Sequence, residues 1–221
     1  MNKTKNILII FTLALAVFCF ESSQVSALTL YTETLSPIHV GDNAIIKIFA
    51  DTEGKEINAI EGELEISGDF EIAGLSTAGS IFELWPNLPK LNGNKIYFVG
   101  GTASGVYGKE LRVFNIILKP KSTESLSIKT INGKAFLNDG QATIVSVTPN
   151  TNKISVSQNN KAPIDFMADS INNDKTPPSQ FSIELGNGLP GQEDKYFLSF
   201  STVDADTGIE RYEVQEGNKE T

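Results

Sequence analysis

An all-β fold, a sandwich or jelly roll, is what this 221-residue sequence predicts for most of its length. Short runs of β-branched and aromatic residues recur from Leu28 to about Val156, separated by asparagine–glycine turn signals and without helical periodicity. An apolar stretch ahead of them predicts a single N-terminal signal helix.

That helix comes first. Lys3 and Lys5 give a short basic start, Ile7 to Phe20 an uncharged and mostly apolar run, and Val25-Ser26-Ala27 small residues at the −3 and −1 positions of a cleavage site before Leu28. The fourteen-residue run spans about 21 Å as a helix, short of a hydrocarbon core about 30 Å thick, so export is predicted rather than a permanent span. Cys19 is the only cysteine and lies inside this segment, and Phe18 before it argues against lipidation. The mature chain therefore has no disulfide and no cysteine-ligated metal, and must be held by core burial and sheet hydrogen bonds. Without Lys3, Lys5 and Glu21 the 18 basic and 27 acidic residues become 16 and 26, a net charge of −10. No basic stripe is present to displace counterions, so the balance disfavours nucleic acid and anionic membrane surfaces as partners.

The strands follow. Ala44 to Ala50 is rich in β-branched and aromatic residues. Ile60 to Ile66 alternates, with Ile60, Leu64 and Ile66 on one face and Glu61, Glu63 and Glu65 on the other. Lys95 to Val99, Leu111 to Leu118 and Leu126 to Ile128 continue the pattern, with turns expected at Asn92-Gly93-Asn94, Asn132-Gly133 and Asn138-Asp139-Gly140. A polar break at 158–179, containing Pro177-Pro178, reads as a semi-rigid linker. Beyond it, Phe181 to Leu185, Tyr196 to Phe200 and Tyr212 to Val214 are three further strand signals, fewer than the about seven of a sandwich. The 180–221 unit is thus expected to be incomplete, and no second hydrophobic span appears before Thr221.

The order of these features resembles a family. An opening strand at Leu28–Thr34 leads to Val40-Gly41-Asp42 and the strands at Ile45–Phe49, Ile57–Ile66 and Phe70-Glu71-Ile72. A loop carrying Phe82-Glu83-Leu84-Trp85-Pro86 precedes Ile96-Tyr97-Phe98-Val99-Gly100-Gly101-Thr102 and the Leu111–Leu118 strand. Residues 28–157 on this ground resemble cohesin-like domains of bacterial secreted and surface proteins, related in fold to certain carbohydrate-binding modules. The resemblance implies a jelly-roll β-sandwich of about nine strands that recognises a protein partner, a dockerin in cellulosomes, across one sheet face. It carries no catalytic residues. Asp174 to Pro178 with Asp206 to Val214 resembles the opening of a bacterial Ig-like domain, a type of module that serves as a spacer.

Asp204-Ala205-Asp206-Thr207-Gly208 places alternating carboxylates as a calcium loop does, but Gly208 and Ile209 stand where a ligand and a glycine are required, so an inter-strand turn is expected. The three glutamates of 61–65 read as a solvated outer face. His39, the only histidine, lacks the companions of a zinc site and is expected in a loop. Gly100-Gly101 inside a strand suggests a bulge. No phosphate loop, Rossmann fingerprint or zinc-finger spacing occurs, and no cofactor is expected.

Trp85 is the leading binding candidate. Its ring can stack on a sugar or anchor a protein contact, or it can close one end of the sandwich with Phe82 and Leu84 beneath, the reading its apolar neighbours favour. Tyr107, in Gly105-Val106-Tyr107-Gly108, poses the same choice. The sequence as a whole predicts a non-enzymatic binding module displayed outside the cell or on its envelope. It would engage a dockerin-like protein partner through a sheet face, the alternatives being polysaccharide binding and a purely structural spacer.

Overall fold

Alternating burial organises the chain: in Ala44–Asp51 the residues Ala44, Ile46, Ile48 and Ala50 are buried while Ile45, Lys47 and Asp51 are only partly so. The computed structural model describes residues 27–34, 37–158, 161–189, 192–200, 202–209, 212–215 and 217, so the expected signal helix lies outside the described residues. Within them the strands are β1 (Leu28–Thr34), β2 (Ile38–His39), β3 (Ala44–Asp51), β4 (Ile57–Ser67), β5 (Phe70–Ser76), β6 (Leu84–Asn92), β7 (Lys95–Val106) and β8 (Leu111–Pro120). Then come β9 (Leu126–Leu137), β10 (Ile144–Thr148), β11 (Thr151–Ile154), β12 (Val156–Ser157), helix α1 (Phe166–Asn173), β13 (Glu184–Leu189) and β14 (Gln192–Ser199).

The sheet order β5-β8-β3-β1-β10-β9-β4-β7-β6, with β11 also on β9, folds into two facing layers. The hinge between layers is β10, parallel to β1 at Leu28↔Val147 and antiparallel to β9 at Val145↔Ala135. Leu30, Ile46, Ile48 and Phe114 from one layer meet Ile60, Leu64, Ile96 and Phe98 from the other in one buried cluster. Phe98 and Phe114 touch across it with ring centroids 5.0 Å apart. Each such fully buried side chain contributes roughly 1.5–3 kcal/mol of transfer free energy. Gly62 occupies an inward position on β4, and a Cβ there would lie 2.8 Å from the Phe98 ring, so the glycine makes room for the phenylalanine. This jelly-roll β-sandwich is the fold class expected.

Several local expectations are corrected. The about nine strands expected are the nine of the main hydrogen-bonded path, with β11 added on β9 where Pro149 and Asn150 separate it from β10. Asn132-Gly133 is no turn; it lies inside β9, where Gly133 lets Val147 approach, a Cβ there falling 2.7 Å from the Val147 Cβ. The Trp85 segment is the edge strand β6 rather than a loop, and an edge strand tolerates Pro86 and Pro89 because one row of its N–H groups needs no partner. His39 stands in the short strand β2, parallel to β12. The bulge expected at Gly100-Gly101 begins at Gly101, where Gly101 to Val106 of β7 faces only Ala59 to Ile57 of β4, and a second one lies on β6, where Leu84 to Asn87 spans one residue more than Gly101 to Val99. Asn92-Gly93-Asn94 and Asn138-Asp139-Gly140 do form turns, with Gly93 and Gly140 at positive φ.

The polar stretch after β12 holds α1. Asp165 caps it, its carboxylate accepting from the N–H groups of Met167 and Ala168. The approach is pinned to the sandwich: Asn43 N–H donates to the Ile164 carbonyl (2.9 Å), and Ile164 N–H donates to the buried carboxylate of Asp42 (2.9 Å). Beyond it β13 and β14 form an antiparallel pair, and Phe181, Phe200 and Tyr212 cluster with centroids 5.1–6.4 Å apart. Tyr212 to Val214, expected as a strand, are not in one.

Candidate binding face

The outer face of the β9-β4-β7-β6 layer is built by the alternation that buries Ile60, Leu64, Ile96 and Phe98 on its other side. Register places Asn132, Glu63, Tyr97 and Lys90 in one row across the four strands, and Lys134, Glu61, Val99 and Asn87 in the next. The glutamates are not bare: Lys95 Nζ lies 2.8 Å from Glu63, Lys134 Nζ lies 3.2 Å from Glu61, and Asn132 Nδ2 donates to Glu63 at 3.3 Å. The ammonium of Lys95, then the Asn132 amide, hold the Glu63 carboxyl below its usual range, and Glu63 in turn raises Lys95. The result is a charge-neutralised polar lattice with Tyr97, 47% exposed, standing among it.

Toward the β6 edge the face turns apolar. Trp85, Pro86, Leu88, Pro89 and Tyr97 line a shallow hollow of about 420 Å³. Trp85 is half-buried, its indole N–H donating to the Phe82 carbonyl at 3.1 Å and its ring meeting Phe82 edge-on at 6.2 Å. Six-ring atoms of the indole lie 3.0–3.1 Å from where a Cβ on Gly100 would stand, so Gly100 is the seat of the tryptophan. Phe82 is buried beneath Trp85, whereas Leu84 is 48% exposed. Tyr107 is 70% exposed in the connection after β7, the opposite end of that strand from the Gly93 hairpin, and does not line the hollow. The Trp85 ring thus lies on the inner side of β7 with Gly100 and Phe82, and the outward aromatic of this face is Tyr97, which the alternation Ile96-Tyr97-Phe98 could have flagged.

The other layer presents a different exterior. Its β3 and β8 strands are overlain by the chain itself, with Met167 and Ser170 of α1 and Ala205-Asp206 facing Lys47, Arg112 and Asn115. The turn that follows is held by Asp204, whose carboxylate accepts from the N–H groups of Asp206, Thr207 and Gly208 at 2.8–3.0 Å, while its carbonyl accepts from Gly79 N–H. Burial alone would raise that carboxyl, but the three N–H donors outweigh it and hold it low. Asp204 to Gly208 form a turn, with no strand among the described residues that follow it, and it is Asp204 Oδ1 that takes the three N–H groups.

Among the described residues no three metal-ligating side chains converge. His39 Nδ1 sits 3.0 Å from the Asp42 carboxylate, a structural pair that steadies the β2 turn. No described helix is long and apolar enough to cross a membrane.

No protein-family model matches the chain, and no curated protein matches it. Solved structures do. A cohesin module of a family 33 glycoside hydrolase from Clostridium perfringens covers 61% of this chain and 99% of its own, at 12% identity and a TM-score of 0.48. A non-cellulosomal cohesin of the hyperthermophilic archaeon Archaeoglobus fulgidus covers 59% of this chain and 91% of its own, at 13% identity and a TM-score of 0.49. The third ScaB cohesin of R. flavefaciens, solved in complex with a group 1 dockerin, covers 61% and 97%, at 14% identity and a TM-score of 0.44. What this chain is similar to, in fold, is thus a set of cohesin modules.

Proposed function

We propose that this chain is an exported binding module that engages a protein partner through the outer face of the β9-β4-β7-β6 layer. One observation carries the choice of face: the exterior of the opposite layer is overlain by α1 and the Asp204 turn, whereas this one leaves Tyr97 exposed within an ion-paired lattice. Four strands about 4.8 Å apart and about ten residues long present roughly 20 by 30 Å. That is on the scale of the about 800 Å² each partner contributes to a standard interface. Tyrosine beside apolar residues suits the centre of such a contact, and paired charges suit its rim. Export is supported by the N-terminal segment and by the placement of Leu28, the first residue of β1 and fully buried, so that cleavage before it removes nothing from the described core. The polysaccharide reading is less supported, because the Trp85 ring is committed to Gly100 and Phe82.

The test is a pull-down from culture and envelope extracts with the chain from Leu28 onward, beside Tyr97→Ser and Glu63→Lys on the proposed face and Glu33→Lys on β1. A protein retained by the parent and by Glu33→Lys, but lost with both face variants, supports the reading. Retention of soluble polysaccharide alone, or loss only with Glu33→Lys, sinks it.

A further inference from the structure

Three asparagine–glycine pairs occur in the chain, Asn92-Gly93, Asn132-Gly133 and Asn187-Gly188, and the fold holds the first two in opposite ways. In such a pair the glycine nitrogen is unshielded by a side chain and lies within reach of the asparagine amide carbon. Asn92 ends β6 opposite Lys95 of β7, so Gly93 and Asn94 are the two central residues of a tight hairpin. Gly93 stands at φ +63°, as the first central position of such a loop requires. A Cβ on Gly93 would meet nothing within 4 Å, so the space beside it is open. Asn92 is exposed, and among the described residues neither its side-chain amide nor the Gly93 N–H has a hydrogen-bond partner. Asn94 is tied down instead: its carbonyl accepts from Ile66 N–H (2.8 Å) and its Nδ2 donates to the Ile66 carbonyl (3.3 Å).

Asn132-Gly133 has none of this freedom. It lies inside β9 with Gly133 opposite Gly62 of β4, a Cβ on Gly133 would fall 2.7 Å from the Val147 Cβ, and Asn132 Nδ2 is engaged with Glu63. For the Asn132 side chain to fold back over its own backbone the strand must open, and openings inside a sheet are far rarer than motions at loop tips. Asn92 differs in its neighbours as well. Opposite residues of an antiparallel pair share a face, so Asn92 lies on the outer face beside Lys95, with Glu65 opposite Lys95 on its other side. Lys95 itself is paired with Glu63 at 2.8 Å. Directly opposite Cβ atoms are about 4.5–5.5 Å apart, which puts any carboxylate at position 92 within reach of the Lys95 ammonium.

We propose that Asn92 is a site of spontaneous deamidation, and that its conversion makes the ion-paired outer face acidic by drawing Lys95 away from Glu63. The Gly93 nitrogen, its proton given to hydroxide, attacks Asn92 Cγ. The N–Cγ bond forms, the Cγ–Nδ2 bond breaks, and ammonia leaves with a proton taken from water. Water then adds to either carbonyl of the resulting succinimide and opens the ring, to aspartate by one cleavage and to isoaspartate by the other. Water is the only co-reactant, and nothing is oxidised or reduced. Both products gain a negative charge, and isoaspartate also adds a methylene to the backbone at the end of β6. The reaction needs no partner, so it stands whether or not this face binds a protein.

Trypsin reports the two sites on peptides of equal length, Leu91-Asn92-Gly93-Asn94-Lys95 and Thr130-Ile131-Asn132-Gly133-Lys134, with isomeric residues ahead of the two asparagines. The chain from Leu28 to Thr221 is held at mildly alkaline pH and digested against a zero-time control. Mass separates acid from amide, and electron-transfer fragmentation separates isoaspartate from aspartate. In the folded chain the Asn92 product should accumulate at least about tenfold faster than the Asn132 product, and in urea the two rates should converge. Isoaspartate should accompany aspartate at Asn92. Equal rates in the folded chain, reaction of Asn92 only in urea, or aspartate without isoaspartate overturns the proposal. The charge consequence is read separately. Asn92→Asp, with a native amide spectrum as its control, should raise the Glu63 carboxyl titration followed by NMR, because Lys95 now holds that carboxyl low. An unmoved Glu63 titration refutes the transfer of Lys95.

Discussion

Replacing Gly62 with alanine puts a methyl group 2.8 Å from Cε1 and Cζ of Phe98. Carbon atoms in contact sit about 3.5–4.0 Å apart, so the ring must retreat by roughly 1 Å. It has nowhere open to go, because Phe98 is fully buried and packs on Phe114 at 5.0 Å. Overpacking of this kind costs about 1–3 kcal/mol. Alanine returns about 0.4–1 kcal/mol by restricting the unfolded chain, which leaves a net loss of about 1–2 kcal/mol. Urea unfolding read by the single tryptophan follows the sandwich, since Trp85 packs edge-on against the buried Phe82. With a slope of about 2 kcal/mol/M the midpoint should fall by about 0.5–1 M. Phe98→Leu in the same chain should relieve the clash, so that the double variant is less destabilised than the sum of the singles by about 1 kcal/mol or more. An unchanged or raised midpoint in Gly62→Ala, or strict additivity in the double variant, would refute the reasoning.

Gly100→Ala should displace the indole seated on it, shifting Trp85 emission to longer wavelength and lowering the urea midpoint by about 1 kcal/mol equivalent. Asp42→Ala leaves Ile164 N–H without its acceptor, a local cost of about 1–3 kcal/mol, and should speed tryptic cleavage at Lys161 while the Trp85 transition stays near its original midpoint. Asp204, its carboxyl held low in the folded chain, contributes stability that is full above the ordinary value of 3.8 and lost as pH falls through the lower folded value. Protease resistance of the tail in Asp204→Asn should therefore trail the parent at pH 7, and the gap should close in strong acid.

The strands of highest contrast were legible because burial acts residue by residue along them. Ile60-Glu61-Gly62-Glu63-Leu64-Glu65-Ile66 declares its two faces in its own alternation, and the sheet buries the one and exposes the other. Edge and corner segments were less legible. Trp85 read as loop because two prolines follow closely, and only the edge position of β6 makes them harmless. Asn132-Gly133 read as a turn because glycine at close approach and glycine at positive φ look alike in one dimension. For the candidate face, Trp85 was visible as a lone tryptophan, but that Tyr97 stands in a row with Lys90 and Glu63 depends on the strand register.

By itself, the sequence determined the fold class and the charge balance, because hydrophobic period and net charge are properties of a chain read locally. Tertiary structure alone decided which exterior is free and which is overlain, and that Lys47, Asn115 and Arg112 share a cavity. Those facts rest on strand order and on a helix docking far along the chain, and contacts between residues 60 to 130 positions apart leave no period to read.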